Sequence, residues 1–346
     1  MKRICFFAGS KSAFNILFDT LNFGWMLQED FELDLVTTKP DELEPLAEFF
    51  EMHGSSFSST RVGEARALAR YLDRNQPDVL VNVVEPSIHG TTVGVLASRH
   101  NLPFVYRYSG DLFDLYRVSH GWRKPAQFAL NNVLGRFALS TGDSYMALGP
   151  TGKMRLINHG APPSDIGVLP PPINENRFDA IEEPDLSVPN DRKVILYAGR
   201  RSRIKGMNDL NTAIPEILKR RDDLQFVFVG SHGIDPDIPS RFQDHVTMVG
   251  RVPLGGMPSY FSAADLLVLP TYNEGLPRVV TEALCAGTPV VARDVADIAS
   301  ATENTFDTID EFINMVVSFE NLPLDNATPF TRSALRDDYL EFFSQF

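Results

Sequence analysis

Two glutamates eight positions apart, Glu274 and Glu282, stand in the run Asn273-Glu274-Gly275-Leu276-Pro277-Arg278-Val279-Val280-Thr281-Glu282-Ala283-Leu284. A carboxylate accepts hydrogen bonds, so it suits a ligand rich in hydroxyls. Ahead of the pair, Leu266-Leu267-Val268-Leu269-Pro270 is a short apolar run that reads as a buried parallel strand. Behind it, Pro277 to Ala286 has helical spacing, with Pro at the first helical position, where its missing N–H costs nothing. Glu274 therefore falls on a strand-to-helix loop, and Glu282 one to two turns into the helix. In an open parallel sheet such a loop lies at the carboxyl ends of the strands, where ligands bind. The first helical turn also offers free N–H groups to an anion. A ligand carrying both hydroxyls and phosphates would use everything in this stretch. The plainer alternative is a solvated helix face.

A second strand end adds the missing charge. Val194-Ile195-Leu196-Tyr197-Ala198-Gly199 reads as a strand closing on glycine, and Arg200-Arg201-Ser202-Arg203-Ile204-Lys205-Gly206 follows at once. Three arginines and a lysine on one loop, in a chain with an acidic balance, need a counter-charge. A diphosphate is a natural one.

Taken in order, Gly199-Arg200, Lys205-Gly206, Val249-Gly250-Arg251-Val252, Ala264-Asp265, Leu269-Pro270 and the two glutamates resemble the nucleotide-sugar half of a GT-B glycosyltransferase. The similarity is to the large retaining family 4 (glycosyl transferases group 1) and covers roughly residues 190 to 292. Thr141 to Phe178 resembles the strand and crossover that precede that half. The resemblance implies an α/β chain of two Rossmann-like domains facing each other across a cleft. It implies a metal-independent, hexosyltransferase-type enzyme that moves sugar from a nucleotide-diphosphate sugar to an acceptor hydroxyl. The product would be a glycan, glycolipid or cell-surface polysaccharide, and no cofactor would be needed.

Residue by residue, Arg200 and Lys205 match the pair that neutralises the leaving diphosphate. Glu274 matches the carboxylate facing the donor sugar, and Glu282 the one on the nucleotide ribose. Gly199, Gly275, Leu276 and Pro277 would approach the donor, and Arg251 and Val252 would lie by the base. Arg201 and Arg203 are expected to pair with nearby acids. No metal-ligand spacing is present, and Asp235-Pro236-Asp237 reads as a turn. The first half departs from the family. Its first strand runs into Ala8-Gly9-Ser10-Lys11-Ser12, not a Gly-Gly loop. After Tyr108 there is no His, only Ser109-Gly110-Asp111. Gly9, Ser109 and Asp111 are the corresponding candidates there.

Residues 117–137 concentrate basic and aromatic side chains around Trp122 and Phe128. They resemble a segment in peripheral contact with a membrane, as a lipid-linked acceptor would require. An ordinary core helix with a Trp-bearing loop is the alternative. Two other functions are open: a non-catalytic protein that binds a nucleotide sugar or a partner, and a nucleotide-sugar epimerase.

The elements that must position these residues alternate between strand and helix, which implies parallel sheets with helices on both faces. Strands are expected at Ile4 to Ala8, Phe31 to Thr37, Asp78 to Val84, Pro103 to Tyr108 and Ser144 to Leu148. Helices are expected at Phe14 to Leu27, Pro45 to Met52, Val62 to Arg74, Thr91 to His100 and Pro125 to Leu139. The chain of 346 residues is comfortable as two domains. With the resemblance, residues 1–172 are expected to form the acceptor-side domain, 173–190 a Pro-rich acidic linker, and 191–328 the nucleotide-sugar domain. A last helix, 329–346, is expected to pack back on the first. Met1 to Phe7 reads as a strand, not a signal peptide, and no apolar run is long enough to span a membrane. Cys5 and Cys285 offer no disulfide framework. These features suggest a cytoplasmic protein, peripheral on the inner face of the cell membrane if 117–137 binds there. The net charge of −13, from 32 basic and 45 acidic residues, argues against nucleic-acid binding. Only eight of the basic residues are lysine, so arginine supplies the other 24. Acid excess with few lysines suits a halophilic source.

Overall fold

The computed structural model describes the chain apart from positions 12, 13, 111, 120, 180–183, 185, 187 and 254 and the side chains of Phe14 and Asn15. The described residues fall into two compact units. One comprises Met1–Pro172 with Arg332–Phe346, the other Ile173–Thr331.

The first unit is built on a seven-stranded parallel sheet. Its strands are β1 (Lys2–Gly9), β2 (Phe31–Thr37), β3 (Glu51–His53), β4 (Val79–Asn82), β5 (Phe104–Tyr108), β6 (Ser144–Ala147) and β7 (Ile166–Val168). The spatial order is β3-β2-β1-β4-β5-β6-β7, so the strand order reverses between β1 and β4. Both faces of the sheet are covered, which is why β1 and β4 are apolar without alternation and buried throughout their centres. The closing helix Arg332–Ser344 belongs to this unit: fully buried Phe343 meets the rings of Phe6 and Phe23, and the Tyr339 hydroxyl donates to the Pro170 carbonyl at 2.9 Å.

The second unit has a six-stranded parallel sheet: β8 (Lys193–Ala198), β9 (Leu224–Val229), β10 (Val246–Gly250), β11 (Leu266–Leu269), β12 (Val290–Arg293) and β13 (Thr305–Phe306). Its order is β10-β9-β8-β11-β12-β13, and the reversal lies between β8 and β11. The core is Ile195, Phe226, Phe228, Leu266 and Val268 from the sheet against Leu210, Ile214 and Ile217 of the helix Met207–Leu218 and Phe312 of the helix Ile309–Val317.

Several element bounds differ from the sequence expectation. Residues 45–52 are not one helix: Pro40–Glu48 is a 3₁₀ helix and Glu51–His53 pairs as an edge strand beside β2. Leu43 leaves the helical backbone region at φ −122°, and Pro45 inside the segment removes a donor from the α-helical hydrogen-bond ladder. The segment expected as one helix from Pro125 is three pieces, Arg123–Phe128, a π-helical Ala129–Leu134 and Gly135–Ser140. The last helix begins at Arg332 after a 3₁₀ turn at Thr328–Phe330, three residues later than its spacing suggests.

Candidate functional site

The reversal in strand order between β8 and β11 opens a crevice at the carboxyl ends of a parallel sheet, because the loops on either side leave in opposite directions. The loop after β8 carries Gly199 to Gly206, and the loop after β11 carries Pro270 to Pro277. Backbone bonds lock the two together. The Tyr272 N–H donates to the Ile204 carbonyl at 2.8 Å, and the Thr271 hydroxyl donates to the same oxygen at 3.2 Å. Gly206 makes this approach possible: its φ is +81°, and a Cβ there would stand 2.1 Å from the Pro270 carbonyl oxygen.

The contact that results joins two residues 69 positions apart. The Lys205 ammonium donates to the Glu274 carboxylate, and both side chains are largely buried. Arg200 is exposed on the same loop, with no acidic partner among the described residues. Arg201 turns inward: it is 4 % exposed and pairs with Asp235 at 2.9 Å, as an arginine expected to pair with a nearby acid should. Arg203 is exposed.

The helix behind Glu274 runs Arg278–Cys285, and Pro277 is its N-cap in an extended conformation. This corrects the expectation of Pro277 as the first helical residue by one position. Gly275 and buried Leu276 lie on the turn into this helix. The Gly275 carbonyl accepts from the Asp297 N–H at 3.3 Å. Glu282 sits on the helix and meets Arg177 at 3.4 Å. Gly199 follows β8 directly, and its N–H donates to the Val229 carbonyl at 2.9 Å. Arg251 and Val252 follow β10, with Gly250 at φ +84° and its carbonyl accepting from Gly230 at 2.7 Å. The sheet thus gathers Arg200, Lys205 and Glu274 at the reversal, places Glu282 on the adjoining helix, and puts Arg251 beyond β9.

A brace behind these loops was not legible in the sequence. Arg293, at the end of β12, pairs with Asp209 in the first turn of the helix Met207–Leu218 and lies 4.3 Å over the Tyr272 ring. The Tyr272 hydroxyl donates to Asp209 at 3.0 Å. Three elements are thereby tied beside Lys205 and Glu274. An acid in a first helical turn is too common to signal such a role.

In the first unit, Gly9 ends β1 with φ +60°, and a Cβ there would come 2.7 Å from the His89 ring. The next residue is clamped: the Ser10 N–H donates to Glu64 at 3.0 Å, and its hydroxyl donates to the same carboxylate. Burial pushes the Glu64 carboxyl up, but the Ser10 and Arg61 hydrogen bonds outweigh it and hold the group below its usual range. Burial keeps His89 below the usual imidazole range, though Glu85 and Glu64 oppose this. The Ser10 N–H is therefore engaged by a carboxylate, which differs from an amide open to phosphate. Ser109 follows β5 and is half-buried, and Asp111 lies outside the described residues.

Known proteins match both halves. The glycosyl transferases group 1 family matches residues 192–317, and the glycosyltransferase family 4 matches residues 21–177. A Bacillus subtilis (strain 168) protein named as a teichuronic acid biosynthesis glycosyltransferase is 30 % identical over 218 residues, covering 61 % of this chain and 52 % of that protein. An alpha-D-kanosaminyltransferase of Streptomyces kanamyceticus is 32 % identical over 120 residues, 33 % of this chain and 31 % of its own length. The chain thus spans about half or less of the curated relatives it matches. Among solved structures, Anabaena HepE in complex with UDP-glucose superposes with a TM-score of 0.75 at 16 % identity over 100 % of both chains. The sucrose-phosphate synthase of Thermosynechococcus elongatus gives 0.74 at 18 % identity, over 100 % of this chain and 99 % of that one. These likenesses concern the fold.

Proposed function

The chain belongs to the GT-B glycosyltransferases of the group 1, family 4 type, and from that premise we propose that it transfers a sugar, with retention, from a nucleotide-diphosphate sugar to an acceptor hydroxyl during glycan assembly. The observation that carries this reading is the meeting of Lys205 and Glu274 at the strand-order reversal of the second unit, with Arg200 exposed beside them. A diphosphate entering there exchanges Glu274 for itself as the partner of Lys205. The freed carboxylate then faces the hydroxyls of the sugar. Arg200 holds phosphate oxygens through its planar fork, and Lys205 acts as a point charge. Both are in place before the bond breaks, so charge developing on the leaving diphosphate is met without rearrangement. This is why no metal ion is required for the transfer. Glu282, with Arg177 beside it, accepts from the ribose hydroxyls. HepE binds UDP-glucose in its complex, which supports a nucleotide sugar as the donor class here.

A thermal-shift screen of nucleotide sugars at low and high salt tests the reading. A saturable rise in melting temperature with one nucleotide sugar fixes its base and sugar together. No rise with any of them counts against a donor site.

The acceptor is proposed to be a glycan or lipid-linked glycan. The support is in residues 117–137, where Trp122, Phe128, Val133 and Phe137 are exposed and Arg123, Lys124 and Arg136 lie among them. Cations and aromatic rings together suit the interface of an anionic bilayer.

A further inference from the structure

The outer edge of the first sheet carries a group of side chains that sugar transfer does not use. Strands β2 and β3 run parallel, with Asp34 beside Glu51 and Val36 beside His53. Residues two apart on a strand share a face, so Glu51 and His53 project together. Asp34 stands next to them from the neighbouring strand. Two carboxylates side by side on adjacent strands repel each other. Yet the arrangement brings one oxygen of Asp34, one of Glu51 and a ring nitrogen of His53 within 4.8 Å of one another.

The individual distances say what is missing. His53 Nε2 lies 3.6 Å from Asp34 and 3.8 Å from Glu51. Both are too long for a hydrogen bond. The nitrogen is nonetheless shielded from solvent and has no hydrogen-bond partner. Two ligands about 2.0–2.2 Å from one tetrahedral ion are separated by roughly 3.3–3.6 Å. The His53–Asp34 spacing fits that separation, and Glu51, 3.8 Å from His53 on an exposed side chain, lies just outside it. The surroundings hold the first two ligands in place. The Tyr71 hydroxyl donates to the second Asp34 oxygen, and the His53 ring packs on Tyr71 at 4.8 Å. Arg3 is 3.8 Å from Asp34 but is hydrogen-bonded to Glu32. Its charge is therefore already matched.

We propose that Asp34, Glu51 and His53 bind one divalent ion of the Zn²⁺ class, with water completing its coordination. Two carboxylates, a neutral imidazole and a doubly charged cation sum to zero charge. A protonated His53 alone would leave one negative charge uncompensated. One imidazole with two carboxylates is a borderline donor set that zinc accepts. Glu51 and His53 lie on the edge strand β3 and Asp34 on its neighbour β2, to one side of the reversal between β1 and β4, so the ion is structural. It fastens the three-residue strand β3 to β2. Sequence spacing did not disclose the site because its ligands meet only through the sheet register.

The test uses tag-free full-length protein, stripped with a chelator and titrated calorimetrically with Zn²⁺ alone. The expected result is one saturable ion per chain, with affinity about tenfold or more weaker in His53→Ala and in Glu51→Gln. Zn²⁺ is also expected to raise the melting temperature of the wild type but not of His53→Ala. Glu51 is exposed, so Glu51→Gln is a variant that leaves the core intact. Absence of saturable binding by the wild type, or unchanged affinity in either variant, overturns the site.

Discussion

At the scale of single residues, Arg200 and Lys205 differ in their state although they share a loop. Lys205 is satisfied by Glu274, whereas Arg200 is exposed. Arg200→Ala should therefore leave the fold untouched and lower donor turnover about a hundredfold, or about 3 kcal/mol in the barrier. Lys205→Ala should lower turnover similarly and also strand Glu274 in a largely buried place. Steady-state rates at saturating and subsaturating donor check both variants. An unchanged rate at both levels removes that residue from the site. Lys205 and Glu274 were legible in the sequence because each sits on a loop directly after an apolar strand, beside a glycine or proline. Asp209, Tyr272 and Arg293 were not, since Arg293 and Asp209 are 84 positions apart and only the sheet order joins them. The Ser10–Glu64 clamp was hidden for the same reason. Gly9 marked the turn, but nothing in the sequence marked which side chain would close on it.

At the scale of elements, the segment around Trp122 is the clearest departure from simple periodicity. A regular helix was expected from Pro125 to Leu139, but a π-helical turn occupies Ala129–Leu134. A π turn inserts an extra residue per turn and shifts the faces on either side of it. Trp122 is 77 % exposed and Val133 65 %, whereas Ala138 and Leu139 at the end of the segment are buried in the core. Liposome flotation on anionic vesicles should recover the wild type and lose a Trp122→Ser, Arg123→Glu, Lys124→Glu variant. Each cation near such a surface contributes about 1 kcal/mol at moderate salt. High salt should therefore weaken the binding without abolishing it, leaving aromatic burial as the main attraction. Equal flotation of both proteins, or none of the wild type, would leave 117–137 as ordinary surface. The closing helix makes a different claim. Phe343 is fully buried against Phe6 and Phe23, so Phe343→Ala should cost about 3–5 kcal/mol of stability. Chemical denaturation measures it, and a loss below about 1 kcal/mol would mean that the helix is not part of this core.

At the scale of the whole molecule, strand-helix alternation was enough to identify two parallel sheets, because strands buried on both faces are written as unbroken apolar runs. The short strands β3, β7 and β13 were missed, being two or three residues long and without such a run. The net charge of −13 bears on donor binding as well as on solubility. A diphosphate approaches an acidic molecule, so the cations at the end of β8 must supply the local attraction, and salt should change donor affinity less than it changes membrane binding if the donor is desolvated. The most direct test is release of nucleoside diphosphate from a panel of uridine, guanosine, adenosine and thymidine diphosphate sugars, with and without EDTA. Wild-type protein is expected to release the diphosphate from at least one donor, to do so equally in EDTA, and to do so about a hundredfold more slowly as Lys205→Ala. Loss of release in EDTA with restoration by Mn²⁺ or Mg²⁺, isomerisation of the nucleotide sugar without release, or no turnover of any donor would contradict metal-independent sugar transfer at this site.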